Sequence, residues 1–342
     1  MRVKYPSNPW ALLSAFPVLQ LWSRFRGQLA TLKTVALVML QSSLQGRRGR
    51  WRRTRDYCKL MARVMWHREQ SRRWIHFLYS TALMRELLAM QCRVIRKIYA
   101  PYLTEALTCE QRLQMLMAHY EILLQHGLGS LAIQAMQEPV VLGRFAGKSG
   151  AWYEVRLTAA LRYESEGEWL MQLCADDTAL YSQVFTFGKV DGRMAIGLGC
   201  LQGPARGTEG LEQIQHATRD LHGLRPKNLM IRLLQRLGQD LGCEQLILVG
   251  NRNRVVYYAI RKGHLHADYD QFWLELGAEQ RRDGDFSLPC VVPALCLESI
   301  PSKKRAEARR RAAVMAAALD AASDGVAQWA GSYRAGVHAA AG

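Results

Sequence analysis

Trp152-Tyr153-Glu154-Val155-Arg156-Leu157-Thr158-Ala159-Ala160-Leu161 is the stretch on which the fold turns. Tyr153, Val155, Leu157, Ala159 and Leu161 recur at every second position, with Glu154, Arg156 and Thr158 between them. A strand sends alternate side chains to opposite faces, so this period predicts a strand with one face buried and one wetted.

Upstream the period is helical. Trp74, Phe77, Leu78, Leu83, Leu87, Val94, Ile95 and Ile98 recur at helix spacing until Pro101, and a further helix is expected over 109–126. Downstream, strands expected near 168–174, 180–188 and 193–201 are separated by Glu-Gly, Asp-Asp and Asp191-Gly192 turn signals, the pattern of an antiparallel meander. Leu229, Met230, Leu233, Leu234, Leu237 and Leu241 then form a helical stripe that stops at Gly242. Leu246-Ile247-Leu248-Val249 is a continuous apolar run that suits a strand buried on both faces. A helix opens at Asp268 and ends at Gly277, a strand follows around 285–290, and Pro301-Ser302 opens a basic helix. Beyond 324 the Ala/Gly-rich tail has too little apolar pattern to pack and is expected to be mobile.

Charge divides the chain in the same sense. Of the net +17, residues 1–105 hold +16, with 20 Lys/Arg against four acids. So steep an excess predicts an anionic partner for that segment. Residues 18–46 combine Trp22, Phe25 and Leu29 with Arg24, Arg26 and Lys33, an amphipathic helix with a cationic edge. Arg47, Arg48, Arg50, Arg52, Arg53 and Arg55 follow, packed around Trp51. Pro6, Pro9, Pro17 and Lys33 interrupt the apolar runs, so no spanning segment is read, and no Ala-x-Ala site suggests a signal peptide. The eight cysteines lie at least six positions apart, which excludes a C-x-x-C ribbon and predicts reduced thiols on the cytosolic side.

Five motifs need weighing. Gly143-Arg144-Phe145-Ala146-Gly147-Lys148-Ser149 has one residue too few between its glycines for a P-loop and leads into a strand, so nucleotide hydrolysis is excluded on this feature. His264, His266, Asp268 and Asp270 would line one face of a strand as metal ligands, but Asp268 as a helix cap with Gln271 completing a capping box is preferred, and no metal is expected. Ala195, Gly197 and Gly199 bare one face of a strand, which invites close approach by a helix or a ligand. His222-Gly223-Leu224-Arg225-Pro226-Lys227-Asn228 precedes the leucine-striped helix. Cations there oppose the helix dipole unless an anion is present. Lys303, Lys304 and Arg305 repeat that conflict at the last helix.

Leu201-Gln202-Gly203-Pro204, Leu221-His222-Gly223-Leu224-Arg225-Pro226-Lys227-Asn228-Leu229-Met230, Asp268-Tyr269-Asp270-x-Phe272-Trp273-x-Glu275-Leu276-Gly277 and Ile300-Pro301-Ser302-Lys303-Lys304-Arg305 resemble the VirK/YbjX family of Gram-negative bacteria. With a weaker N-terminal likeness, the resemblance spans roughly residues 50–310. It implies a role in virulence, envelope remodelling and resistance to cationic peptides. It implies no particular reaction. The element order also resembles that of GNAT-type N-acetyltransferases, in which a Gly-rich loop before the central helix holds the acyl-CoA pyrophosphate and the bared strand lies along the pantetheine. By position, His222–Asn228 would be that loop, although only Gly223 in it is glycine.

Together these readings give an α+β protein. They predict a basic, largely helical region over 1–147, a GNAT-like α/β domain with a mostly antiparallel sheet over 148–324, and a tail over 325–342. The expected function is a cytoplasmic, envelope-associated factor peripheral to the inner membrane, whose α/β domain binds a phosphate-bearing ligand. Gln202, Gly203, Gly223, Arg225, Lys227, Asn228, Lys303, Lys304 and Arg305 are the phosphate-binding candidates. In an enzymatic version acyl-CoA or acyl carrier protein is the donor, the 195–199 face takes the acyl arm, and His222 is the general base. A non-enzymatic scaffold or binding module is the alternative. Nucleic-acid binding through 47–55 ranks below both, because the flanking helices are apolar.

Overall fold

A computed structural model describes residues 50–204, 207–255, 268–298 and 300–339. The helix expected over 18–46, Arg47, Arg48, His264 and His266 lie outside the described residues, as do the side chains of Arg50, Arg52 and Arg53. The chain forms two compact units, residues 1–100 and 101–342.

The first unit holds α1 (Arg50–Trp66), α2 (Arg68–Leu78), α3 (Ala82–Met90) and a 3-10 segment (Cys92–Tyr99). Val64, Trp74, Ile75, Leu78, Ile95 and Ile98 are its buried core. The Trp74 indole N–H donates to the Ile95 carbonyl at 3.1 Å, so the largest core side chain also has its one polar atom satisfied. Thr81 caps α3 by accepting from the Met84 amide at 3.2 Å. Among the described residues no helix is long and apolar enough to cross a membrane.

The second unit is built on an eight-stranded sheet in the order β1-β2-β3-β4-β5-β6-β8-β7. Its first helices are α4 (Cys109–Gln125) and α5 (Gly129–Gln137). Five strands follow: β1 (Val140–Ala146), β2 (Trp152–Ala159), β3 (Trp169–Ala175), β4 (Thr178–Val190) and β5 (Arg193–Gln202). Then come α6 (Thr208–Asp220), α7 (Pro226–Asp240), β6 (Gln245–Leu248), α8 (Tyr269–Glu275), β7 (Glu279–Gln280), β8 (Phe286–Pro289) and α9 (Ser302–Ala339). Every pairing is antiparallel except β5 with β6. The fold is thus mixed α+β with a mostly antiparallel sheet. Tyr153, Val155, Leu157 and Ala159 are buried while Glu154, Arg156 and Thr158 are half-buried, as the alternation predicts. Val155 faces Leu173 and Leu157 faces Met171 across the β2–β3 ladder, the cross-strand pairs that fix the register.

The division between units falls at 100/101 rather than 147/148. Charge marks composition, whereas packing marks units: β1 pairs with β2, α4 lies on β4 and α5 on β2. Residues past 324 are not a separate tail either, because α9 runs on to Ala339. A Cβ on Gly143 would stand 2.5 Å from the Ala321 carbonyl carbon, and one on Gly325 would fall on the Leu142 carbonyl oxygen. Two glycines therefore let the helix and strand backbones press together, and Val326 is buried beyond them. Alanine is a strong helix former, so an Ala-rich run needs little apolar pattern to continue a helix.

At the centre of the sheet, β5 and β6 pair only over Ala195–Leu198 and Gln245–Leu248, while β5 continues to Gln202 against β4. The freed groups are taken up by α8. Tyr269 Oη accepts from the Leu201 amide at 2.8 Å and donates to its carbonyl at 2.6 Å, and Trp273 Nε1 donates to the Val249 carbonyl at 3.0 Å. The bared face of β5 is filled by the protein itself: a Cβ on Gly197 would meet Leu103 at 2.4 Å, and one on Gly199 would meet the Glu166 carbonyl oxygen at 2.0 Å. This corrects the expectation that the 195–199 face accepts an acyl arm.

Candidate functional site

α7 is the platform on which the candidate residues stand. Leu229, Met230, Ile231, Leu233, Leu234 and Leu237 are buried on its inner face. At about 1.5–3 kcal/mol for each fully buried large apolar side chain, this anchors the helix firmly. Pro226 occupies its first turn, where a missing N–H costs nothing. Arg225 is its N-cap residue and makes no side-chain capping bond, and the first turn holds no acid. Ahead of it, His222 (φ 53°) and Gly223 (φ 80°) are both left-handed, and the Gly223 amide donates to the Thr218 carbonyl at 2.8 Å. This turn closes α6 and aims the chain into α7.

Two clefts flank this N-terminus. The first, about 630 Å³, is lined by α6 (Ile214, Gln215, Thr218, Arg219), the start of α7 (Arg225 to Asn228), α8 with its cap (Asp268, Gln271, Phe272, Glu275) and Tyr181. Lys227 Nζ stands 3.4 Å from the centroid of the Phe272 ring, a cation–π contact. Burial holds the Lys227 ammonium below its ordinary range, against the opposing pull of Glu275 and Asp268. Asp268 is the α8 cap, accepting from the Gln271 amide at 3.2 Å and from Asn251 Nδ2 at 2.8 Å. Those two bonds, with lesser help from Lys227, hold its carboxyl below the usual range. The cap predicted from sequence is therefore present, without a reciprocal bond from the Asp268 amide to the Gln271 side chain among the described residues; Gln271 Nε2 donates to Glu275 at 3.3 Å.

The second cleft, about 530 Å³, lies on the other side of the same helix start. Arg225 and Asn228 line both clefts, and Gly223, Leu224, Arg232, the loop Pro293–Cys296, Ile300, Ala308, Arg311, Ala312 and Met315 complete the second. Arg225, Asn228 and Arg232 follow one another at helical spacing, so they share the face of α7 opposite the leucine stripe.

Among the sequence-predicted residues, the structure brings Arg225, Lys227 and Asn228 to the first cleft and Gly223, Arg225 and Asn228 to the second. His222 lines neither. Gln202 ends β5, where its Oε1 accepts from Tyr163 Oη at 3.4 Å, and Gly203 lies against the ring of Tyr181, one residue removed from the first cleft. Lys303 and Lys304 are exposed and line neither cleft, and Arg305 Nε donates to the Ile300 carbonyl at 3.0 Å. The cation that α9 contributes is Arg311 instead. Arg219, Arg232 and Arg311 were missed; the spacing of Arg232, seven residues after Arg225, was the available signal. Arg55 is exposed on α1.

A buried polar group at the end of β5 had no sequence signal. Arg254 is 1% exposed, its guanidinium carbon 4.1 Å from the Tyr269 ring centroid, and its Nε and Nη1 have no hydrogen-bond partner among the described residues. Burial pushes the Glu166 carboxyl up to about 7, although Arg254 pulls the other way, and burial with Glu166 pushes the Cys200 thiol up to about 12. Arg254 is held in place by a bridge to Thr104, a pairing across 150 residues that no local pattern reveals.

Comparison with known proteins adds kinship without an activity. A family model described as a protein of unknown function (DUF535) matches residues 49–323. The uncharacterized protein YbjX of Escherichia coli K12 is 28% identical over 311 residues, covering 89% of this chain and 94% of that protein. An uncharacterized protein of Haemophilus influenzae is 29% identical over 164 residues, 48% of this chain and 54% of its own length. No solved structure matches.

Proposed function

The chain belongs to the DUF535 family, and we propose that its sheet-containing unit binds a phosphate-bearing ligand at the N-terminus of α7, against Arg225, Lys227 and Asn228. One observation carries this reading. Arg225 at the N-cap and Lys227 in the first turn of α7 stand where the helix dipole repels positive charge, that turn holds no acid, and Lys227 is partly desolvated, with Asp268 and Glu275 the acids that act on it from α8 and its cap. An anion there relieves both costs; since Pro226 has no N–H and the Asn228 N–H donates to the Arg225 carbonyl at 2.9 Å, its backbone anchor would be the Lys227 N–H, with the two side-chain cations supplying the rest. Gln215, Thr218, Asp268 and Gln271 give the rest of the first cleft a polar wall, which fits a ligand whose body carries hydroxyl or amino groups.

Binding rather than acyl transfer is proposed. His222, the base of the enzymatic version, lines neither cleft, and the strand face meant for an acyl arm is filled by Leu103 and Glu166. For the helical unit we propose attachment to an anionic membrane. Supporting this, α1 carries Arg50, Arg52, Arg53, Arg55, Lys59 and Arg63, and at its end Met65 and Trp66 are exposed, Trp66 by 84%. The two parts together fit a membrane-peripheral factor of the envelope.

The test uses pyrophosphate, ADP and coenzyme A as probes in chemical denaturation of the full chain. A probe at about 100 times its Kd should stabilise the protein by about 2.7 kcal/mol. Changing Arg225 and Lys227 together to Ala should remove the gain. Failure of all three probes to stabilise the wild type refutes the reading.

A further inference from the structure

The second cleft differs in kind from the first. Its charged lining is Arg225, Arg232 and Arg311, with no acid among the lining residues. None of the three arginines makes an ion pair among the described residues; Arg232 Nη1 donates to Gln235 Oε1 at 2.6 Å. Burial lowers the Arg232 pKa, a sign that its charge is desolvated without a counter-ion. At the rim, Glu307, one turn before Arg311 on α9, stands beside Gly223. The rest of the lining is largely apolar: Leu224, Leu295, Ile300, Ala308, Ala312 and Met315. Leu295 is exposed, in the loop that walls the groove.

We propose that the groove between α7 and α9 is a second binding site, for a single-chain amphiphile with a phosphate head, the phosphate on Arg225, Arg232 and Arg311 and the chain along Leu295, Ala308 and Met315. The class follows from the lining. Guanidinium groups pair with phosphate oxygens in bidentate geometry, and three of them match a group carrying up to two charges. A free inorganic anion leaves the apolar wall wet, and a plain hydrocarbon leaves the partly desolvated Arg232 without a counter-ion and gives the exposed Arg225 and Arg311 nothing to bind. A cleft of about 530 Å³ lies within the range that holds a small ligand. Arg225 is shared with the first cleft, but Arg232 and Arg311 line only the second, so this proposal stands or falls apart from the one above.

Titration calorimetry of the full chain with monodecyl phosphate, below its micelle concentration, tests it. Four buried methylenes alone are worth about two-hundred-fold in affinity, so decyl phosphate should bind at least about a hundredfold more tightly than inorganic phosphate. R311Q should weaken it by about tenfold and the charge reversal R311E further still; Arg311 is exposed, so neither change threatens the fold. The remote R193Q should leave the affinity unchanged. Competition by vesicles containing phosphatidic acid identifies a bilayer lipid as the source of the head group; binding without competition identifies a soluble ester. Either supports the site. Equal affinities for decyl phosphate and inorganic phosphate, or an affinity untouched by R311E, overturns it.

Discussion

Replacing Glu166 by Gln should remove a specific slope from the dependence of stability on pH. Glu166 is 3% exposed, and burial raises its carboxyl from 4.5 to about 7. Each tenfold change in an acid's ionisation constant is worth about 1.4 kcal/mol, so the folded chain favours the protonated form by about 3 kcal/mol. The folded value lies above the unfolded one. Its contribution is therefore full below about pH 4.5, declines as pH rises toward about 7, and is absent above. Gln keeps the shape and cannot ionise, so the variant lacks this decline while sharing every other titration. Urea midpoints of both proteins on a grid of pH values give the difference directly. The wild type should lose about 3 kcal/mol more than E166Q between about pH 4.5 and about pH 7.5, and E166Q should be the more stable protein at about pH 8. A difference constant within about 0.5 kcal/mol across that range would falsify the burial argument.

Two further outcomes follow from packing and charge. Gly325→Val would drive a side chain onto the Leu142 carbonyl oxygen, so it should cost about 1–3 kcal/mol or more and lower the Tm; an unchanged Tm means that α9 does not press on β1. The protein should co-sediment with anionic vesicles and not neutral ones, with binding falling between about 50 and 300 mM salt as screening shortens. Changing Arg50, Arg52, Arg53 and Arg55 to Ser, or Trp66 to Ser, should weaken it; equal pelleting with neutral lipid contradicts the electrostatic account.

Legibility in the sequence followed the range of the interactions. The β2 strand and the α7 stripe are local alternations of apolar residues, and both elements lie where the pattern placed them. β1 was not seen, because Val140-Val141-Leu142-Gly143-Arg144-Phe145-Ala146 has no clean period and a register shift between Val141 and Gly143 breaks its alternation. In the candidate site, the conflict between cations and the helix dipole marked Arg225 and Lys227 in advance. It also marked Lys303 and Lys304, which the structure leaves in the open, because a violated local rule shows tension without showing what stands nearby. Arg254 and Glu166 meet only through contacts between distant segments, so no window of sequence contains them.

The glycine contact between α9 and β1 also bears on self-association. An unpaired strand edge is a template for another chain's strand. Here α9 packs against β1 at Gly143 and Gly325, close to the Leu142 carbonyl, and a bulge breaks the regular strand. The opposite edge, β7, is two residues long, Glu279 and Gln280, both exposed and polar. Neither edge offers a long flat ladder. The sheet is thereby guarded against growth by strand addition, in crowded cells or in a concentrated preparation, and partners are left to meet the protein through its helices and clefts.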